Sequence, residues 1–235
     1  MKYARWLGRG LGCLAAAAAL YVLSGLVLVP EVVGLRWSDP RPTALMRLRE
    51  EQGIETRARG AWTPLRRVSP SLLNAVLHAE DDTFPTHHGF DVPRMRIAAS
   101  ENVEEGRFAK GASTISQQLV KNLFLSPAKN PFRKLKEAGL TALVELAVPK
   151  PRILEAYLNV IEWGRGLYGI EAAARTYFGR TPRQLDPAQS ALLAASIPNP
   201  LVRNPGRVTR SLRWKQQLLL SRMARSNLVP REWVR

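Results

Sequence analysis

Cysteine is almost missing from this 235-residue chain, where Cys13 stands alone. One thiol allows no intramolecular disulfide and no cysteine-based metal site, and it is silent on the redox compartment. Histidine is nearly as scarce, with 3 residues. Two of them, His87 and His88, are adjacent, so they diverge on most backbones and lack the i, i+4 partner of a helical metal pair; they read as groups that orient a loop. Acids are short as well: 19 Asp and Glu face 35 Lys and Arg, leaving a net charge of +16. That imbalance implies an anionic partner, whether nucleic acid, lipid headgroups or a phosphorylated substrate, and does not choose among them.

Charge is wholly absent from residues 11–29, an apolar run rich in Ala, Leu and Val. At about 1.5 Å per residue it spans a hydrocarbon core of about 30 Å, so a single transmembrane helix is expected there. Lys2, Arg5 and Arg9 precede it and would stay cytoplasmic, which puts the rest of the chain outside the inner membrane. A cleaved signal peptide is the alternative, but the run exceeds the usual apolar region of about 7–15 residues and no clear small-x-small site ends it. The expected division is 1–10 cytoplasmic, 11–29 transmembrane, 30–64 a connector and membrane-proximal segment, and 65–235 one domain.

Beyond the connector, apolar spacing and cap signals predict a mainly α chain. Ser69-Pro70 opens a helix to about residue 80, Asp91-Val92-Pro93 one to about 100, and residues 101–110 read as a polar loop. Further helices are expected over 132–147, 149–163, 168–178, 187–197 and, strongly basic, 207–226. In the last of these Leu212, Leu218, Leu219 and Met223 are expected to point inward.

Three features suggest chemistry. Within residues 111–125 a helix is expected to about Phe124, with Ser113 or Thr114 near its N-terminus, and it has a broad polar face: Ser113, Gln117 and Lys121 fall on one line, with Thr114, Gln118 and Asn122 beside it. Hydroxyls and amides sacrifice helix propensity, which suits hydrogen bonds to a polar ligand; an ordinary surface helix is the plain alternative. Glu80 ends the apolar stripe of Leu73, Val76 and Leu77, where burial would raise its pKa toward that of a general base. Arg133, Lys134 and Lys136 crowd the first turn of the 132–147 helix against its dipole, and a pyrophosphate would offset them. An exposed Arg133–Glu137 ion pair would be the bland reading of the same residues.

These residues resemble the peptidoglycan glycosyltransferases, most closely the monofunctional biosynthetic transglycosylases. The likeness covers about residues 65–205. It rests on Glu80-Asp81-x-x-Phe84-x-x-His87-x-Gly89-x-Asp91, Gly111-x-Ser113-Thr114-Ile115-x-Gln117-Gln118-Leu119-x-Lys121-Asn122, Arg133-Lys134-x-x-Glu137, Ile153-Leu154-Glu155-x-Tyr157-Leu158-Asn159, and Ala191-Leu192-Leu193 leading to Pro198-Asn199-Pro200. The resemblance implies a lysozyme-like helical domain behind one transmembrane helix, polymerising lipid II with inversion and release of undecaprenyl pyrophosphate. It implies Glu80 as the base on the acceptor hydroxyl and Glu137 as a second essential acid. Substrate binding would fall to Asp81, Phe84, His87, Ser113, Thr114, Gln117, Gln118, Lys121, Asn122, Arg133, Lys134 and Lys136, although Phe84 and Phe90 taken alone read as packing groups.

No cofactor is required by this reading; Mg²⁺ or Mn²⁺ is compatible with a pyrophosphate substrate, and no metal site is assigned. The implied partners are lipid II, the growing lipid-linked glycan, the membrane and cell-wall synthesis proteins, with no nucleic acid. One departure from the family pattern is Ile97 where many relatives carry a basic residue, with Arg94 and Arg96 nearby. Ser126-Pro127-Ala128-Lys129 imitates a transpeptidase motif, but no Lys-Thr-Gly or Lys-Ser-Gly box follows, so the chain reads as monofunctional. A lysozyme-type hydrolase and a membrane-anchored nucleic-acid binder are the rival readings; the clustered cations oppose the first and the anchor topology the second.

Overall fold

The computed structural model describes residue 16 and residues 19–40, 42–105, 111–125 and 131–234. The described chain is mainly helical. Its principal helices are α1 (Val29–Gly34), α2 (Ala44–Glu51), α3 (Pro70–Glu80), α4 (Val92–Glu104), α5 (Ile115–Phe124), α6 (Pro131–Ala147), α7 (Lys150–Val160), α8 (Ile170–Phe178), α9 (Pro187–Ser196) and α10 (Arg210–Arg225). Among the described residues no helix is long and apolar enough to cross a membrane. Residues 11–15, 17 and 18 of the expected span lie outside the described residues, and Ser24–Leu28 form a 3₁₀ helix.

α3 is the centre of the molecule. Leu72, Leu73, Ala75, Val76 and Leu77 are fully buried and Asn74 and His78 nearly so, so the helix is enclosed on every side rather than along one stripe. α9 and α10 pack directly on it, and α5 packs on α6 and α7. The helix starts follow the sequence closely. Thr114 caps α5 in a reciprocal box with Gln117, Asp186 does the same for α9 with Gln189, and Asp91 caps α4 through the Arg94 amide. Ser69 precedes α3 as expected, but its hydroxyl donates to Leu185 O at 2.8 Å instead of capping.

Differences from the expected elements are local. α4 continues to Glu104, so residues 101–104 are helical rather than loop. α7 stops at Val160, because Glu162–Gly164 (β2) and Leu167–Tyr168 (β3) form an antiparallel pair within what read as two helices. Ala58–Arg59 of the connector (β1) pairs in parallel with β3, giving the sheet order β1-β3-β2. Gly60 sits where this strand meets α8: a Cβ there would lie 2.5 Å from the Ala172 backbone nitrogen. On α10, Leu212 and Leu219 are buried and Met223 half-buried, whereas Leu218 is 44% exposed and not inward. The fourth motif is structural: Glu155 accepts from Leu65 N and Trp62 Nε1, and the Asn159 amide bonds both N and O of Thr63.

Candidate active site

Burial of α3 delivers its last residue, Glu80, to the edge of the core. Gln118 Nε2 donates to one carboxylate oxygen at 2.7 Å, and Gln118 Oε1 in turn accepts from the Tyr157 hydroxyl at 3.0 Å. The orientation of the Gln118 amide is thereby fixed, with its N–H toward the acid. The second Glu80 oxygen, Oε1, is buried and has no hydrogen-bond partner among the described residues. Burial raises the Glu80 pKa above its ordinary value, opposed by the Gln118 hydrogen bond and by the fields of Arg94, Lys121 and Arg203. Of the two arginines near Ile97, it is Arg94 that comes to Glu80, donating to its backbone carbonyl at 3.3 Å. Ile97 is 58% exposed.

Asp81 turns the other way. It is buried and accepts from the Ile115 amide at 2.9 Å and from His87 Nε2 at 3.0 Å. His87 Nδ1 accepts from the Gly89 amide at 2.9 Å, so the proton sits on Nε2. The Thr114 hydroxyl donates to Gly89 O at 2.7 Å, completing a tie between the 81–91 loop and the start of α5. Asp81, Thr114 and Gln117 are therefore consumed by protein partners, and Phe84 is fully buried against His87. These four, expected to touch substrate, are internal supports, and His87 too is bonded inward, an orienting group as its place in the loop suggested. Ser113 lies exposed just before α5, and Asn122 is half-buried beside Lys121.

Across from Glu80, the first turns of α6 hold a second acid. Glu137 is buried and accepts from Arg133 Nη1 at 2.6 Å and from Lys134 Nζ, so the ion pair is far from an exposed one. Lys121 feels Glu137, Lys134, Arg133 and Glu80 together, which brings the two acids and the cations to one place. Desolvation, with repulsion from Lys134 and Arg133, lowers its pKa against the opposing pull of Glu137 and Glu80. Lys136 faces away, donating to Ser24 Oγ at 2.9 Å and lying 5.1 Å from the Tyr21 ring centroid. It is not part of the cluster. Among the described residues no group of three or more His, Cys, Asp or Glu could hold a metal ion.

A buried acid with one free oxygen, set beside fixed cations, can take a proton while an anionic leaving group is held. A family model described as Transglycosylase matches residues 47–224, most of the chain and all of this geometry. The chain belongs to the transglycosylase family. It is 47% identical over 200 residues to the biosynthetic peptidoglycan transglycosylase of Azoarcus sp. (strain BH72), covering 83% of this chain and 85% of that one. With the protein of the same name from Laribacter hongkongensis (strain HLHK9) it shares 40% over 223 residues, 93% and 96% of the two chains. With that of Thiobacillus denitrificans (strain ATCC 25259 / T1) it shares 44% over 231 residues, 97% and 98%. These relatives are matched over nearly their full length.

Sequence reasoning missed three groups around this transglycosylase site. Tyr157 looked like a core residue on the apolar face of α7, and only its hydroxyl, aimed at Gln118, gives it a part. Arg203 and Lys215 reach Glu80 electrostatically. Neither carried a local signal, since both come close only when α9 and α10 fold over α3.

Proposed function

We infer that the protein is a peptidoglycan glycosyltransferase that builds glycan strands for the cell wall. The observation that carries this is the pairing of Glu80, whose Oε1 is buried and unpartnered, with Lys121 and the Arg133–Lys134–Glu137 cluster. The acceptor is lipid II and the donor is the growing lipid-linked glycan. The Glu80 carboxylate takes the proton of the acceptor sugar's 4-hydroxyl. That oxygen attacks the anomeric carbon of the donor from the face opposite the phosphate, the C–O bond to pyrophosphate breaks, and the configuration inverts.

Negative charge grows on the leaving pyrophosphate as the bond breaks, so Lys121 and Arg133 act more strongly on the transition state than on the ground state. Glu137 keeps Arg133 and Lys134 in place and limits the repulsion among three neighbouring cations. A leaving group held in this way needs no protonating acid, unlike a neutral glycosidic oxygen, and this favours synthesis over a lysozyme-type hydrolysis. The same cations serve without a required cofactor, and Mg²⁺ or Mn²⁺ would add to them at the pyrophosphate.

The reading extends to a lysozyme-like domain anchored in the bacterial inner membrane by residues 11–29, single-pass, with a cytoplasmic N-terminus and a periplasmic catalytic domain beside cell-wall synthesis proteins. Supporting it is the uncharged run preceded by Lys2, Arg5 and Arg9. The test is polymerisation of labelled lipid II by the purified full chain, scored on a gel, with Glu80→Gln and Glu137→Gln alongside. Near-complete loss is expected in the first and severe loss in the second; robust polymer from Glu80→Gln would end the assignment.

A further inference from the structure

The chain does not stop where the family match does. After α10, residues 226–234 lie outside the matched span of 47–224, yet they turn back onto the helix and loop that carry Glu80. Both functions of the Asn74 amide are given to this strap: Nδ2 donates to Ser226 O at 3.2 Å and Oδ1 accepts from the Leu228 amide at 2.9 Å. One turn further along α3, His78 Nε2 donates to the same Ser226 carbonyl at 3.0 Å. Val229 and Trp233 are buried. The Trp233 ring then meets Phe84 edge to face, with centroids 6.0 Å apart and planes at 74°.

Phe84 is a junction rather than an ordinary core residue. Its ring takes the Trp233 edge, the His87 edge at 5.9 Å and the Lys150 ammonium 4.3 Å from its centroid. Lys150 in turn bonds Glu145 at 2.8 Å, and Glu145 bonds Ser116 at the start of α5. His87 holds Asp81, and Asp81 holds the Ile115 amide. Attachments at Asn74 and His78 on one side of Glu80, and at Phe84 on the other, bracket the acid in sequence. Arg222, just before the strap, adds a bond to His78 O at 2.7 Å and an ion pair with Asp82.

We propose that the 226–234 strap is a positioning element for the base, with Trp233 as its positioning residue acting through Phe84, His87 and Asp81 on Glu80. It makes no contact with substrate. The strap holds the 81–91 loop at a fixed distance from α5, which keeps Gln118 on one oxygen of Glu80 and water away from the other. A displacement of the acid by about 1 Å is enough to cost a large factor in rate, so a remote ring edge can act on turnover. The inference rests on the transglycosylase reading for its kinetic arm only.

The test uses the full chain with Trp233→Ala, Trp233→Leu and Trp233→Phe. Trp233→Ala is expected to lower kcat for glycan polymerisation about tenfold with KM held within about twofold, and Trp233→Phe, which keeps a ring edge, to restore most of it. Independently of activity, hydrogen exchange at the Ile115 and Gly89 amides, both bonded into the tie, is expected to accelerate in Trp233→Ala. Wild-type protein that makes no polymer would refute the functional reading and leave the exchange arm to decide this one. Folded Trp233→Ala with wild-type kcat and unchanged exchange at both amides overturns the proposal. Should Trp233→Ala fail to fold, Trp233→Leu and Trp233→Phe are compared instead, and equal kcat and equal exchange in the two overturn it.

Discussion

Replacing Glu80 with glutamine should abolish polymerisation and, at the same time, stabilise the folded protein at neutral pH. Among the described residues the carboxylate has one hydrogen bond, from Gln118, and one buried oxygen with no partner. An unpaired buried acceptor costs about 1–3 kcal/mol, more when charged. Arg94, Lys121 and Arg203 return part of this through their fields, and the glutamine amide brings a buried N–H of its own, so the net gain is about 1 kcal/mol. For a domain of this size that is about 2–4 °C in melting temperature. The pH dependence has a definite sign. Burial lifts the folded-state pKa above the ordinary 4.5, so between the two values the folded protein binds more protons than the unfolded chain, and stability falls as pH rises through that window. Below the unfolded value both states are protonated and the penalty vanishes. Thermal melts of wild-type and Glu80→Gln protein across about pH 4 to 8 should therefore diverge on the alkaline side and converge on the acid side. A variant that is less stable near neutrality, or a difference that does not change with pH, would refute the argument.

Other outcomes follow from the same geometry. Tyr157→Phe removes the donor that fixes the Gln118 amide, so kcat should drop about tenfold with little change in melting temperature, read by steady-state polymerisation. Lys134→Ala should cost less than about 1 kcal/mol in denaturant unfolding because the lysine is 48% exposed, while Glu137→Ala, which removes the buried acid that Arg133 and Lys134 both bond, should cost clearly more. Gly60→Ala drives a Cβ into the α8 backbone and should destabilise by about 1–3 kcal/mol in the same measurement, without altering the KM of folded enzyme.

The helix starts were legible because caps are local. Ser69-Pro70 marks the start of α3, Ser113 or Thr114 lies within two residues of the start of α5, and the start expected at 187 is that of α9. The strands were not legible, since Glu162–Gly164 and Leu167–Tyr168 continue an apolar pattern and acquire strand geometry only through each other and a remote partner in the connector. α4 outran its expected end because residues 101–104 have no apolar period, although nothing in them breaks a helix. At the site, the pairing of an acid with a cation cluster could be read from Glu80, Lys121 and Arg133. Which polar groups face a ligand could not: Asp81, Thr114 and Gln117 have the chemistry of ligand contacts and spend it on the protein. Only coordinates separate a donor aimed outward from one aimed at a neighbouring amide.

The little sheet ties assembly to the order in which the chain appears. Ala58 finds its neighbour in Leu167, and the helices α3 to α7 are made in between. A polypeptide emerging from its N-terminal end must hold the connector unzipped until that late hairpin arrives. This edge of the fold therefore closes late, after the helices around Glu80 have been made.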